Sequence, residues 1–337
     1  MWRSRAMHTQ TDKFTLPSQA EKQSPIGTVR TDLAIESHER LAKDATAIAG
    51  LSLDREQFDT FTRIRMKVSS REASEAMGKI QGEYVTFEVP DMRYRDPELY
   101  EAVAVAVSDE VRRLIDHDTS APVLVVGLGN WNVTPDALGP LVIDHLFVTR
   151  HLYHVMPEVL DEGFRSVCAI APGVLGITGI ESLEIVKGVV DRVKPAMVLV
   201  IDALAAGSVE RVLTTIQIAD SGISPGAGIG NYRKAFSRES LGVPVLAIGI
   251  PTVVDLGTMM QRAIERTADR YDPLSALHEE ERTEILKELL EPLGDRLIVT
   301  PKEIDQFIED MATVIAMGLN LALHPVMSLE DARVFLH

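Results

Sequence analysis

The sequence predicts an α/β protein with a mostly parallel sheet and helices on both faces. Two observations predict it. Continuous apolar runs recur at residues 123–126, 167–170, 196–201 and 243–250. Segments with helical spacing alternate with them. Strands that are apolar at every position are buried on both sides, as parallel strands between two helical layers are.

Along the chain, residues 1–32 are polar and aperiodic, with Pro17, Pro25 and Gly27. Their five basic and three acidic residues give a net +2, against a whole-chain charge of −16. They read either as a disordered leader or as a removable segment that docks on an acidic body, and they are taken as a removable leader. Residues 33–337 are expected to form one α/β domain with a helical tail.

Residues 33–53 carry helical spacing, and the run from Tyr84 to Val89 reads as a strand. Asp96-Pro97 opens a helix running to about residue 116, with proline at the first helical position. The strand 123–126 follows. A helix is expected over 135–148, with Thr134 as its cap and Asp136 in its first turn. Next come the strand 167–170, a helix over 181–193 and a strand ending at Asp202. Residues 212–218 alternate, as an antiparallel or edge strand does. A strand at 243–250 precedes a helix from about Asp255. Thr300 to Glu303 reads as a capping box for a helix to about Leu323.

Composition narrows the function. A net charge of −16 argues against a nucleic-acid backbone as a direct partner, because phosphate binding needs clustered Lys and Arg. No run of about 18 uncharged apolar residues occurs, so no membrane span is expected. The single cysteine, Cys168, rules out an intrachain disulfide and fits a reducing, cytoplasmic compartment.

Function in such sheets collects at the carboxyl ends of the strands. Asp136, Asp202 and Asp255 fall there or in the next turn. The 127–140 turn, GLGNWNVTPDALGP, lacks the third glycine of a dinucleotide fingerprint, since that position is Asn132. No phosphate-loop sequence and no nucleophile elbow occurs. The glycine-rich 225–231 loop, with Gly228 at its centre, is a weaker candidate site, as is Asp255. His145, His151 and His154 flank a helix end and read as surface or core residues. What remains is carboxylate chemistry, in which one acid activates water and another holds a proton. Asp136, near a helix N-terminus, is assigned as the base. Asp202, ending a buried strand, is assigned as the acid.

These residues resemble a known family. The blocks GLGNWNVTPDALGP, VTRHL (148–152), APGVLGITGIE (171–181), VIDALAA (200–206), TTIQIADSGI (214–223), GIPTVVD (249–255) and VTPKEIDQFIEDMA (299–312) are similar to those of the germination protease of spore-forming Firmicutes. The resemblance covers most of the chain from Val29 onward. It implies an atypical aspartic endopeptidase that degrades small acid-soluble spore proteins in the spore core, that is, in the cytoplasm. It implies a precursor that removes its own leader, placed here between Asp32 and Leu33, and a homotetramer.

The family also resembles hydrogenase maturation endopeptidases, with a phosphorylase/hydrolase-like fold. Their turn aligns with Gly127, Gly129, Asn130, Asp136 and Gly139, and their second acid with Asp202. No histidine lies in the matching third region, so no metal and no cofactor are expected. Two other readings use the same residues: a metal-assisted peptidase, and a non-catalytic module that binds a basic protein.

Overall fold

The computed structural model describes residues 30–42, 48–115, 121–156, 163–226, 234–268, 279–290 and 297–334. Its centre is one mixed sheet. The strands are β1 (Leu51–Gln57), β2 (Thr62–Val68), β3 (Gly82–Glu88), β4 (Val123–Gly127), β5 (Val167–Ile170), β6 (Met197–Ala206), β7 (Thr215–Ala219), β8 (Val245–Asp255) and β9 (Ile298–Val299). Their order is β1-β2-β3-β7-β8-β6-β4-β5, with β9 beside β8. β5, β4, β6 and β8 run parallel, and β7, β3, β2 and β1 extend the sheet antiparallel.

The parallel half shows why continuous apolar runs are needed. Val123 and Val125 of β4, with Leu199 and Ile201 of β6, enter one core with the helices Pro97–Leu114, Leu138–Asp144 and Ile304–Leu323. Leu124, Val126, Val198 and Val200 point the other way, onto Val186 and Val190 of the helix Ser182–Val193. Alternate residues of a strand face opposite sides, so both sets must be apolar. The expected α/β class, with helices on both faces, is what the chain forms. Among the described residues, no helix is long and apolar enough to cross a membrane.

Several expected boundaries move. Residues 33–53 divide into a helix, Ala34–Ala42, and the start of β1. The helix expected over 135–148 is a tight turn at Thr134–Asp136 followed by a short helix, Leu138–Asp144, and Thr134 makes no capping hydrogen bond. β6 does not stop at Asp202 but continues to Ala206. β7 is antiparallel, yet it lies between β3 and β8 and is buried throughout, so it is not an edge. The helix Ile304–Leu323 lacks the capping box, because the Thr300 hydroxyl donates to the Thr252 carbonyl instead (2.9 Å).

Candidate active site

β4 ends at Gly127, and the next residue pins the turn to its neighbour strand. Leu128 N–H donates to the Ile201 carbonyl at 2.8 Å, the residue before Asp202. The turn then folds back on itself. Asn130 N–H donates to the Asp136 carbonyl (2.9 Å), and Asp136 N–H to the Val133 carbonyl (2.7 Å). The Asn130 side chain accepts from Asn132 N–H (3.0 Å). Gly129 is required here. Its φ is +121°, and a Cβ would lie 1.9 Å from the Asp136 carbonyl oxygen. From the other side, the Thr252 hydroxyl of β8 donates to the Pro135 carbonyl (2.7 Å). The Thr134–Asp136 turn therefore rests on β6 and β8.

Asp202 lies inside β6, opposite Gly249 of β8, and is 4% exposed. Its Oδ1 accepts from Ala203 N–H at 3.0 Å. Asp136 is half-buried. Asp202 is thus level with the carboxyl end of β4, where the turn bearing Asp136 begins, one acid enclosed and one with access to water. Gly129 and Asn130 meet the Asp136 main chain and so fix where that residue sits after β4.

Asp255 is the last residue of β8. Its Oδ1 accepts from Thr258 N–H (2.8 Å), which caps the helix Leu256–Ala268, and its Oδ2 pairs with Arg30 (3.8 Å). That gives it a structural duty. Gly228 lies outside the described residues. Cys168 is half-buried, and burial pushes its thiol above the ordinary range. Among the described residues, no group of three His, Cys, Asp or Glu is arranged to hold a metal ion.

A second set of contacts gathers around Asp32 and Leu33, and local spacing did not single out the partners. Asp32 N–H donates to the Ala205 carbonyl (2.9 Å), and the Asp32 carboxylate accepts from Ala205 N–H (2.8 Å). The Asp32 carbonyl accepts from Lys79 Nζ at 2.7 Å and Gln217 Nε2 at 3.4 Å. Burial holds the Lys79 ammonium below the usual lysine range, against the pull of Asp32. Leu33 is fully buried, and Ala34 N–H donates to Gln217 Oε1 (2.7 Å).

The helix that follows is fastened by charge. Arg211 pairs with Glu36 (3.5 Å), Glu39 (2.6 Å) and Glu88 (2.8 Å). Burial works to raise the Glu39 carboxyl, but Arg211 holds it below the usual range. A cavity of about 570 Å³ opens elsewhere, lined by Arg93, Leu213, Val254, Thr300 and Phe307, and neither Asp136 nor Asp202 borders it.

Comparisons with known proteins agree with one another. A family model described as germination protease matches residues 28–272 and 265–336. The chain is 45% identical to a germination protease of Clostridium perfringens over 92% of its own length and 99% of that protein. It is 46% identical to one from Caldanaerobacter subterraneus, covering 92% and 98%. For one from Bacillus cereus the identity is 41%, with 92% and 97% covered.

Proposed function

The chain belongs to the germination protease family, and from that premise we propose that it is an aspartic-type endopeptidase acting on small acid-soluble spore proteins. Peptide-bond hydrolysis is the activity of the family. The proposed chemistry rests on one observation: a buried carboxylate within β6, Asp202, lies level with the carboxyl end of the parallel strand β4, whose following turn carries the half-buried Asp136.

Burial disfavours a charged carboxylate, so the acid role is assigned to the enclosed Asp202 and the base role to the more open Asp136. Asp136 takes a proton from water, and the water oxygen bonds to the peptide carbonyl carbon. Asp202 donates its hydrogen bond to the carbonyl oxygen as negative charge develops there. Collapse of the tetrahedral species breaks the C–N bond, and the proton on the Asp136 carboxyl passes to the leaving amine. No metal or cofactor is assigned to these steps.

The chain is further read as a precursor that cuts itself between Asp32 and Leu33, acts as a homotetramer and works in the spore core. The described arrangement fits the resting precursor. Ala205, which holds Asp32, is three residues past Asp202, roughly 10 Å along the strand. On this reading the bond shifts toward the carboxylates before it is cut.

Incubation with a purified small acid-soluble spore protein tests the reading. Mass spectrometry should find cuts after acidic residues, and N-terminal sequencing of the protein itself should start at Leu33. An intact substrate after prolonged incubation with the Leu33-initiated protein sinks the proposal.

A further inference from the structure

The carboxylate of Glu36 sits in the first turn of the helix Ala34–Ala42 and is completely buried. Its two oxygens are unequally served. Oε2 accepts from Gly207 N–H (2.6 Å) and from the Thr31 hydroxyl. Oε1 has no hydrogen-bond donor, only Arg211 at ion-pair distance (3.5 Å). A buried carboxylate oxygen without a donor is costly and therefore uncommon.

Thr31 is the piece that connects this acid to the cut. Its hydroxyl accepts from Leu33 N–H (3.0 Å) while donating to Glu36. One hydroxyl thus separates the Leu33 nitrogen from a buried carboxylate. Thr31 lies on the leader side of the Asp32–Leu33 bond, and Glu36 lies on the retained side.

We propose that Glu36 forms a buried binding site for a primary ammonium, namely the one created at Leu33 when the Asp32–Leu33 bond is hydrolysed. The inference rests on the processing reading above. In that step water adds its oxygen to the Asp32 carbonyl carbon and the C–N bond breaks. The Leu33 nitrogen leaves as an amine and takes up a further proton from solvent to become an ammonium. Departure of the leader removes the Thr31 hydroxyl. The ammonium then replaces it against Glu36, with up to three donors where one amide N–H stood.

Because Glu36 also accepts from Gly207, just past the end of β6, the new ion pair is anchored to the strand that carries Asp202. The leader's departure thereby converts a neutral bridge into a charged lock on the candidate site.

Other charges face this position. Arg211 competes for Glu36 from the turn Val209–Arg211, and Glu88 of β3 and Glu39 of the same helix share Arg211. Lys79 approaches from the segment after the helix Arg71–Met77, and Arg40 lies one turn on. Glu36 is the acid placed next to the Leu33 nitrogen through Thr31.

The test uses the full chain with residues 29–32 replaced by a factor Xa recognition sequence, folded and then cut with that protease. Leu33 becomes the first residue whether or not the protein processes itself. Competitive acetylation of the α-amine across pH, read by mass spectrometry of the N-terminal peptide, gives its pKa. An ordinary α-amine titrates near about 7.7–8.0. The expected value is at least about one unit higher, so that the amine is acetylated at least about sevenfold more slowly near pH 7.5.

Glu36→Gln should return the value to the ordinary range. Should that variant fail to fold, one glycine inserted before Leu33 moves the ammonium away and should have the same effect. An ordinary value in the cut chain overturns the proposal, as does a raised value unchanged by both alterations. Failure of the processing reading would look different. The unmodified chain would show an N-terminus other than Leu33, while the factor Xa–cut chain still reports on Glu36.

Discussion

Asp32 and Ala205 are joined twice, by Asp32 N–H to the Ala205 carbonyl and by Ala205 N–H to the Asp32 carboxylate. The residue read as the last of the leader is therefore bound to the strand that carries Asp202, a short way beyond it. The arrangement stores the proposed cleavage point beside the site without placing it there. It also gives the acidic residue before the proposed cut a direct physical task, since its carboxylate accepts from Ala205 N–H of β6.

Lys79 tests whether this docking restrains processing. Its ammonium donates to the Asp32 carbonyl at 2.7 Å. A hydrogen bond to a charged group contributes about 1.5–3 kcal/mol. Lys79→Met should release the segment more often and speed appearance of the Leu33 N-terminus about tenfold or more, timed by gel and N-terminal sequencing. A slower cut would mean that Lys79 assists the reaction.

Gly129 tests the turn. Alanine there meets the Asp136 carbonyl oxygen at 1.9 Å, at a φ of +121°. Gly129→Ala should cost at least about 2 kcal/mol in chemical denaturation. It should also lower peptidase activity by far more than the loss of folded protein explains, because Asp136 is displaced. Wild-type activity in this variant would detach the turn from the chemistry.

His324 gives a pH-dependent stability. The ring is fully buried, Nδ1 accepts from Arg165 N–H (3.4 Å), and Nε2–H donates to the Phe147 carbonyl (3.0 Å). Burial pushes its pKa down to about 4, from 6.5. The folded state therefore holds the neutral ring, while the unfolded chain takes up a proton below about 6.5. Stability is fully present above that pH and is lost progressively toward pH 4, by an amount on the order of 3 kcal/mol. Denaturation midpoints between pH 7 and 4.5 should show this fall. His324→Gln should be less stable at pH 7 and should lack this part of the slope.

Arg211 holds the helix Ala34–Ala42 to the sheet through three carboxylates. Removing one partner of a buried ion pair leaves the others uncompensated and costs about 3–5 kcal/mol. Arg211→Met should lose about that much, seen as a lower urea midpoint. A loss under about 1 kcal/mol would assign the helix's attachment to apolar packing of Leu33 and Ile35.

The parallel core was legible from the continuous apolar runs, because a strand covered on both faces must be apolar at every position, as Leu124 and Val125 are. The ends of strands were not. β6 runs on past Asp202 because Ala203 to Ala206 pair with β8, and no local signal separates a strand end from a charged residue within a strand. Thr134 looked like a helix cap. The chain instead uses it in a turn closed by Gly129 and Asn130, a long-range outcome of packing on β6 and β8.

Asp136 could be singled out because its place after an apolar strand is a local signal, whereas Gly129 and Asn130 entered through the resemblance. Lys79, Gln217, Glu36 and Arg211 were not legible, since their link to Asp32 and to the helix after it exists only once distant strands meet.

The central claim is that Asp136 and Asp202 share one hydrolytic step. The most direct measurement is the rate of peptide cleavage by Asp136→Asn and Asp202→Asn, each made alone in a chain whose N-terminus is already Leu33, with circular dichroism as the check on folding. Each folded variant should lose about 10²–10⁴-fold in rate, the usual contribution of a positioned acid or base. Cleavage at the parent rate by either folded variant contradicts the account.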